Sequence, residues 1–143
     1  MKKGFTLIEL LIVMVIIGIL VSIAYTSYLQ YIVSARRSDG QSAIMDLASR
    51  MERYYSERNT YLNATIGTGG ANDIRSSNIS PEGWYTLSIS SQTASTYTLQ
   101  AIPRNNQGRD DRLCQTLTVN SLGAKGIAAG PGGAPSGTVD QCW

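Results

Sequence analysis

The chain has 143 residues, 12 lysines and arginines against 10 aspartates and glutamates, a formal net charge of +2 and 43% hydrophobic residues. That balance gives no bulk-charge argument for nucleic-acid binding, and a chain with no histidine lacks the commonest general base, metal ligand and neutral-pH switch. With one membrane-length apolar segment set aside, roughly 120 residues are left, enough for one small domain with a single core.

The N-terminus opens on a short basic stretch, Met1 to Gly4, carrying Lys2 and Lys3. Next comes FTLIELLIVMVIIGILVSIA, about twenty residues, long enough to cross a bilayer as a helix. Its only charge is Glu9. A carboxylate inside such a span costs about 2.5–3.5 kcal/mol on insertion scales, so it is expected to have a partner. Two readings stay open: a carboxylate snorkelling to the interface, or one that neutralises an amine on a neighbouring chain. An ordinary secretory signal places its small-residue cut site after the apolar run. Here Gly4 stands before the run, so a cut there removes the basic leader and keeps the whole helix. No cysteine comes directly after the run, which excludes a lipoprotein anchor. The positive-inside rule puts Lys2 and Lys3 on the cytoplasmic side. Arg36 and Arg37 partly offset that bias, while Asp39 favours the opposite side for the C-terminal domain.

The string KKGFTLIELLIV, with Gly4, Phe5 and Glu9, resembles the class III signal of type IV pilins and pseudopilins. The resemblance implies a cut between Gly4 and Phe5 by a prepilin peptidase, N-methylation of Phe5 by the same enzyme, and Glu9 as an assembly residue facing the new terminal amine. Without Lys2 and Lys3, ten basic groups balance ten acidic ones. Gly18, Ser22 and Thr26 form a small-residue stripe of the kind that lets helices approach in lipid, or are simply scattered small residues.

No breaker occurs between Phe5 and Gly40, and Tyr25, Tyr28 and Tyr31 sit where an aromatic interface belt would lie. Beyond them Ile44, Leu47, Ala48, Met51, Tyr54 and Tyr55 recur at steps of three and four, the apolar face of an amphipathic helix. Asp46, Arg50, Glu52, Arg53 and Glu57 mostly fill the other side, with Arg53 and Glu57 spaced for a weak pair. The pattern predicts one helix from about Phe5 to Glu57, with Gly40 as a candidate bend. Pilins often carry proline where Thr26 stands, and this chain does not.

Residues 58–83 are rich in Asn, Thr, Ser and Gly and read as a connecting loop. Three alternating runs come after it, Trp84–Ser90, Tyr97–Ile102 and Leu113–Val119, expected as antiparallel strands with one buried face. The segment Pro103–Arg112 is polar and turn-forming, and Gly123–Gly137 is too rich in Gly, Ala and Pro to build a core of its own. Cys114 and Cys142 are too few for a zinc site and too far apart for a redox pair. Behind a membrane span, one structural disulfide is the simplest reading, with two reduced buried thiols as the alternative.

This layout is similar to the pilin fold, an α+β architecture. In it a long N-terminal helix packs on a small antiparallel β-sheet with a disulfide-closed C-terminal region. The divisions are a leader (1–4), a hydrophobic transmembrane and assembly helix (5–28), the amphipathic half of that helix (29–57), a connecting loop (58–83), and the sheet with its disulfide-bounded region (84–143). YTLQAIP, CQTLTVNSLGAKG and QCW, with the helix segment RRSDGQSAIMDLASRMERYYSERNTY, look most like the small PilE-like minor pilins of type IVa.

No nucleophile–base pair, phosphate loop or metal-spaced cluster is visible, so neither an enzyme nor a cofactor is expected. Asp110 and Asp111 read as solvated turn residues rather than calcium ligands. Arg104, Arg109 and Arg112 on the same turn would make weak DNA or surface contacts at most, and Trp84 and Trp143 read as packing residues. The resemblance implies a structural subunit of a type IV pilus, serving adhesion, twitching motility or DNA uptake. Its partners would be other pilin subunits, the prepilin peptidase, the inner-membrane assembly platform and, before assembly, membrane lipid. It would sit first in the inner membrane with its N-terminus cytoplasmic, then in the pilus on the cell surface. A pseudopilin of a type II secretion system is the alternative, and a single-pass membrane receptor stands behind both.

Overall fold

The computed structural model describes residues 4–143. Lys2 and Lys3 of the expected leader lie outside the described residues. The chain divides into two compact units, one ending at Ser34 and one spanning Ala35–Trp143.

The first unit is the apolar part of helix α1 (Leu7–Arg58). Leu, Ile, Val and Met fill it, and no proline or charge after Glu9 interrupts it before Arg36. Two of its hydroxyl groups bond back into the helix: Ser22 Oγ donates to the Ile19 carbonyl at 2.7 Å and Thr26 Oγ1 to the Ile23 carbonyl at 2.9 Å. Such back-bonding satisfies these two donors without water. The helix continues through Tyr25–Thr26 without a break.

In the second unit the periodic face of α1 becomes a core. Ala43, Ile44, Leu47, Met51 and Tyr54 are buried. They are covered by a four-stranded sheet of order β3–β4–β5–β6 (Tyr85–Gln92, Tyr97–Pro103, Thr116–Asn120 and Lys125–Ala128), antiparallel throughout. Alternation decides which side faces the helix, because successive residues of a strand point to opposite faces. Tyr97, Leu99 and Ala101 of β4 are buried and their neighbours are not. In register, Leu87, Ala101, Leu117 and Ile127 form one row across all four strands.

Gly40 lies inside continuous α1, and its missing Cβ makes room for the Tyr85 ring, whose carbons stand 2.8–2.9 Å from where that Cβ would be. Three local expectations need correction. The 58–83 segment contains a small parallel pair, β1 (Thr65–Ile66) with β2 (Asp73–Arg75). Asp73 organises it by accepting from Thr65 Oγ1 at 2.6 Å and from the Thr68 and Gly69 amides at 2.8 and 2.7 Å. Those donors, the Thr65 hydroxyl first, hold its carboxyl below the ordinary aspartate range. The Pro103–Arg112 turn contains a short helix, α2 (Asn105–Asp110), and the glycine-rich tail supplies the fourth strand, β6. Neither has an apolar period, and both are held by polar contacts that arrive from elsewhere in the fold.

Cys114 and Cys142 form the disulfide, with Cα atoms 5.5 Å apart and both residues buried. It joins the segment before β5 to α3 (Val139–Cys142), which Thr138 and Gln141 start with a reciprocal capping box. Gln41 Nε2 donates to the Cys142 carbonyl at 2.7 Å, and Trp143 Nε1 to the Gly126 carbonyl at 3.0 Å. The chain end is thereby fixed to both α1 and β6.

Candidate functional site

The first candidate is the N-terminal helix. Gly4, Phe5 and Thr6 precede α1 and are exposed, Phe5 at 86%. A peptidase acting on the Gly4–Phe5 bond would meet non-helical, accessible backbone. Thr6 Oγ1 accepts from the Glu9 amide at 3.3 Å, so Thr6 caps the helix. Thr6 and Glu9 stand at capping-box spacing, a signal legible in the sequence that the pilin motif overshadowed. Glu9 itself is exposed, in the first turn, at the positive end of the helix dipole.

Around it the apolar surface is uncovered. Leu7–Arg58 contains a window long and apolar enough to cross a membrane, with 0% of it buried. Leu10, Val13, Ile17, Leu20 and Ile23 are each about half exposed or more. A patch of this size marks a lipid or protein contact.

The second candidate is a polar network in the folded unit. Arg37 Nε and Nη2 donate to Asp111 at 2.9 and 2.8 Å in a bidentate pair, and the Asp111 side chain is fully buried. Gln107 Nε2 donates to Asp111 and to the Tyr85 hydroxyl, each at 3.1 Å, and the Cys114 amide donates to Asp111 at 3.2 Å. Burial alone would lower the Arg37 pKa, but the hydrogen bonds and charge of Asp111 outweigh it and the net shift is upward. Burial also pushes the Tyr85 hydroxyl well above the ordinary tyrosine range. Asp111 is therefore not the solvated turn residue expected, since its oxygens are taken by Arg37, Gln107 and the Cys114 amide.

Beside this network Arg36 lies 3.9 Å from the centroid of a Trp84 ring and 3.9 Å from an Asp110 oxygen. Asp39, also buried, accepts from Ser80 Oγ and from the Glu82 amide at 2.5 and 3.1 Å. Arg37 and Asp39 carried no sequence signal of these contacts, because their partners lie 74 and 41 residues away and no spacing rule joins them; Gln107 and Asp111 do stand at helical i,i+4 spacing, but in a stretch that reads as a turn. Of the turn cations, Arg109 is occupied by Asp110 at 3.2 Å. The surface pair on the helix is Arg50 with Asp46 at 2.8 Å, rather than Arg53 with Glu57.

A long helix with an uncovered apolar half, an antiparallel sheet over its amphipathic half, and a disulfide-closed C-terminus define a pilin. The model of the type IV minor pilin ComP, DNA uptake sequence receptor, matches residues 26–118, and the prokaryotic N-terminal methylation motif matches residues 1–25. The chain belongs to this family of type IV minor pilins, a structural family and not an enzymatic one. It is 36% identical over 60 residues, 42% of its length, to the type IV major pilin protein PilA of Myxococcus xanthus (strain DK1622), with 27% of that protein covered. It is 38% identical over 60 residues to the fimbrial protein EcpC of Eikenella corrodens, with 39% of that protein covered. It is 34% identical over 77 residues to a fimbrial protein of Neisseria meningitidis, with 45% covered. The chain thus spans less than half the length of these curated relatives. The crystal structure of the non-core minor pilin PilV of Neisseria meningitidis shares its fold, with a TM-score of 0.52 and 21% identity over 75% of this chain and 97% of that one.

Proposed function

We propose that this chain is a minor subunit of a type IV pilus, processed between Gly4 and Phe5, methylated at Phe5 and assembled through its N-terminal helix. The observation that carries the reading is a helix half without any covering surface of its own, interrupted by one exposed carboxylate in its first turn. Before assembly lipid covers that half; in the filament sister helices do. The new amine on Phe5 of one subunit neutralises Glu9 of another, so the cost of a carboxylate in hydrocarbon is met only when the subunits are in step. Lys2 and Lys3 hold the unprocessed N-terminus on the cytoplasmic side of the inner membrane, and the assembly platform takes the subunit from there. In this scheme 1–4 is the leader, 5–28 the transmembrane and assembly helix, 29–57 its amphipathic continuation, 58–83 the connecting loop and 84–143 the sheet with its disulfide-bounded region, the head of the subunit.

The test is Glu9→Leu. The variant enters the membrane at normal levels and is missing from sheared surface filaments. Normal incorporation overturns the pairing, and mass spectrometry showing Met1 intact in filaments overturns the processing.

A second reading concerns what the filament does. The matched family model is described as a DNA uptake sequence receptor, and we infer that the head of this subunit binds duplex DNA during uptake. Binding of a labelled duplex by the full chain in non-ionic detergent tests it directly.

A further inference from the structure

We propose that DNA backbone is held in a cleft at the C-terminal end of α1, where it faces β2; the proposal rests on the DNA reading above. The cleft has a volume of about 190 Å³. Three guanidinium groups line it, those of Arg50, Arg53 and Arg58, against two carboxylates, Glu57 and Asp73.

The charges are not equally available. Asp73 is turned to its own loop, where Thr65, Thr68 and Gly69 occupy it. Arg58 is held in place by Asn72 Oδ1 at 2.9 Å and by the Tyr54 ring, 4.9 Å beneath it. Arg50 is anchored by Asp46 and by the Ile74 carbonyl at 3.3 Å. Arg53 is exposed, and among the described residues its guanidinium makes no hydrogen bond or ion pair; only its backbone carbonyl is used, accepting from Ser56 Oγ at 2.7 Å. The result is one guanidinium held by uncharged partners, Arg58, one paired with a carboxylate, Arg50 with Asp46, and one left over, Arg53, all lining the same concave surface.

Spacing fits a polyanion. From Arg50 to Arg58 the helix rises about 12 Å. One strand of duplex DNA carries a phosphate about every 3.4 Å along the axis, so three or four fall within that length. Arginine on phosphate positions a duplex without reading its sequence. The cations around α2 are a poorer candidate. Arg109 is paired with Asp110, and neither Arg104 nor Arg112 lines this cleft.

Glu57 gives the inference a sign. It lies in the cleft between the arginines and repels an incoming phosphate. Removing Arg53 and removing Glu57 must therefore move DNA affinity in opposite directions, which a loss of fold cannot do.

The experiment measures affinity of the full chain, in non-ionic detergent, for a duplex of random sequence across a salt series. Each lost phosphate contact reduces the slope of log K against log salt by about 1. Arg53→Gln is expected to flatten the slope by about 1, and Glu57→Gln to raise affinity about twofold at low salt, the repulsion of one charge across a wet cleft. Arg104→Gln and Arg112→Gln leave the slope unchanged. If the wild type binds and Arg53→Gln keeps its slope, or the Arg104 and Arg112 variants flatten it instead, the cleft assignment is wrong and the DNA reading stands. If the wild type does not bind duplex above the detergent blank, the DNA reading itself fails and takes the cleft with it.

Discussion

Arg37 and Asp111, 74 residues apart, meet in a bidentate ion pair that leaves neither Asp111 oxygen in water. Arg37 belongs to α1 and Asp111 lies just past α2, so the pair holds the α2 turn against the helix. Its energy is lopsided. Forming such a pair in a buried site gains little over apolar packing, but removing one partner strands the other charge at a cost of about 3–5 kcal/mol. Arg37→Met should therefore destabilise the folded unit by about that much, measured by denaturant unfolding. The double variant Arg37→Met/Asp111→Leu should recover most of the loss. Additive losses would mean that the pair is worth its contacts and not its mutual neutralisation.

Gly40 poses a conflict between two levels of structure. Alanine is the better helix former by about 1 kcal/mol. At position 40, however, its methyl group would stand 2.8–2.9 Å from three carbons of the Tyr85 ring. That ring is fully buried and its hydroxyl accepts from Gln107, so it has little freedom to retreat. Overpacking of this kind costs about 1–3 kcal/mol. Gly40→Ala is expected to lower stability by up to about 2 kcal/mol net of the propensity gain, and Gly40→Ala/Tyr85→Phe to behave like Gly40→Ala, since the ring persists. A rise in thermal midpoint for Gly40→Ala would show that Tyr85 moves aside freely.

The same residue shows where the sequence was legible and where it was not. The α1 face from Ile44 to Tyr54 and the alternation of Tyr97–Ile102 could be read because both report local period against one buried surface. Phe5 and Glu9 stood out because a lone charge in an apolar run has few explanations. Gly40 reads as a candidate bend because propensity is a local quantity, whereas the space left by its missing Cβ is filled by a tyrosine 45 positions on. Asp111 looked solvated for the same reason: adjacent carboxylates on a polar turn give no sign that an arginine on a distant helix will bury one of them. Strand β6 was missed because Lys125–Ala128 carries no alternating pattern and is recruited by pairing with β5.

The cross-link between Cys114 and Cys142 closes 28 residues that include all of β5, β6 and the glycine-rich tail. In the chain-entropy account a loop of that length contributes about 3–4 kcal/mol. Cys114→Ser/Cys142→Ser should lose that amount, and limited proteolysis should then cut first within 129–137, the stretch with no strand of its own. Unchanged stability would mean that Gln41, Trp143 and the Thr138–Gln141 capping box already hold the tail.

Tyr61 makes the folded unit sensitive to alkali. Its ring is buried between Tyr55 and Tyr97, with centroids 4.5 and 4.8 Å away, and its hydroxyl donates to both Glu52 oxygens at 3.1 Å. Tyr97 donates to the same carboxylate at 2.9 Å. Burial first, then the hydrogen bond and negative charge of Glu52, push the Tyr61 hydroxyl from 10.0 up to about 12. Between those values the unfolded chain has released a proton that the folded chain keeps, so stability must fall as pH rises through that window. It is fully present below pH 10.0 and is lost towards pH 12, the direction set by a folded-state pKa above the unfolded one. Tyr97 shifts the same way and adds to the loss. Denaturant titrations from pH 9 to pH 12 should therefore show a shallower decline in Tyr61→Phe than in the wild type. Parallel declines would show that Tyr61 ionises as readily in the folded chain as in the unfolded one, and that the Glu52 contact leaves its proton unguarded.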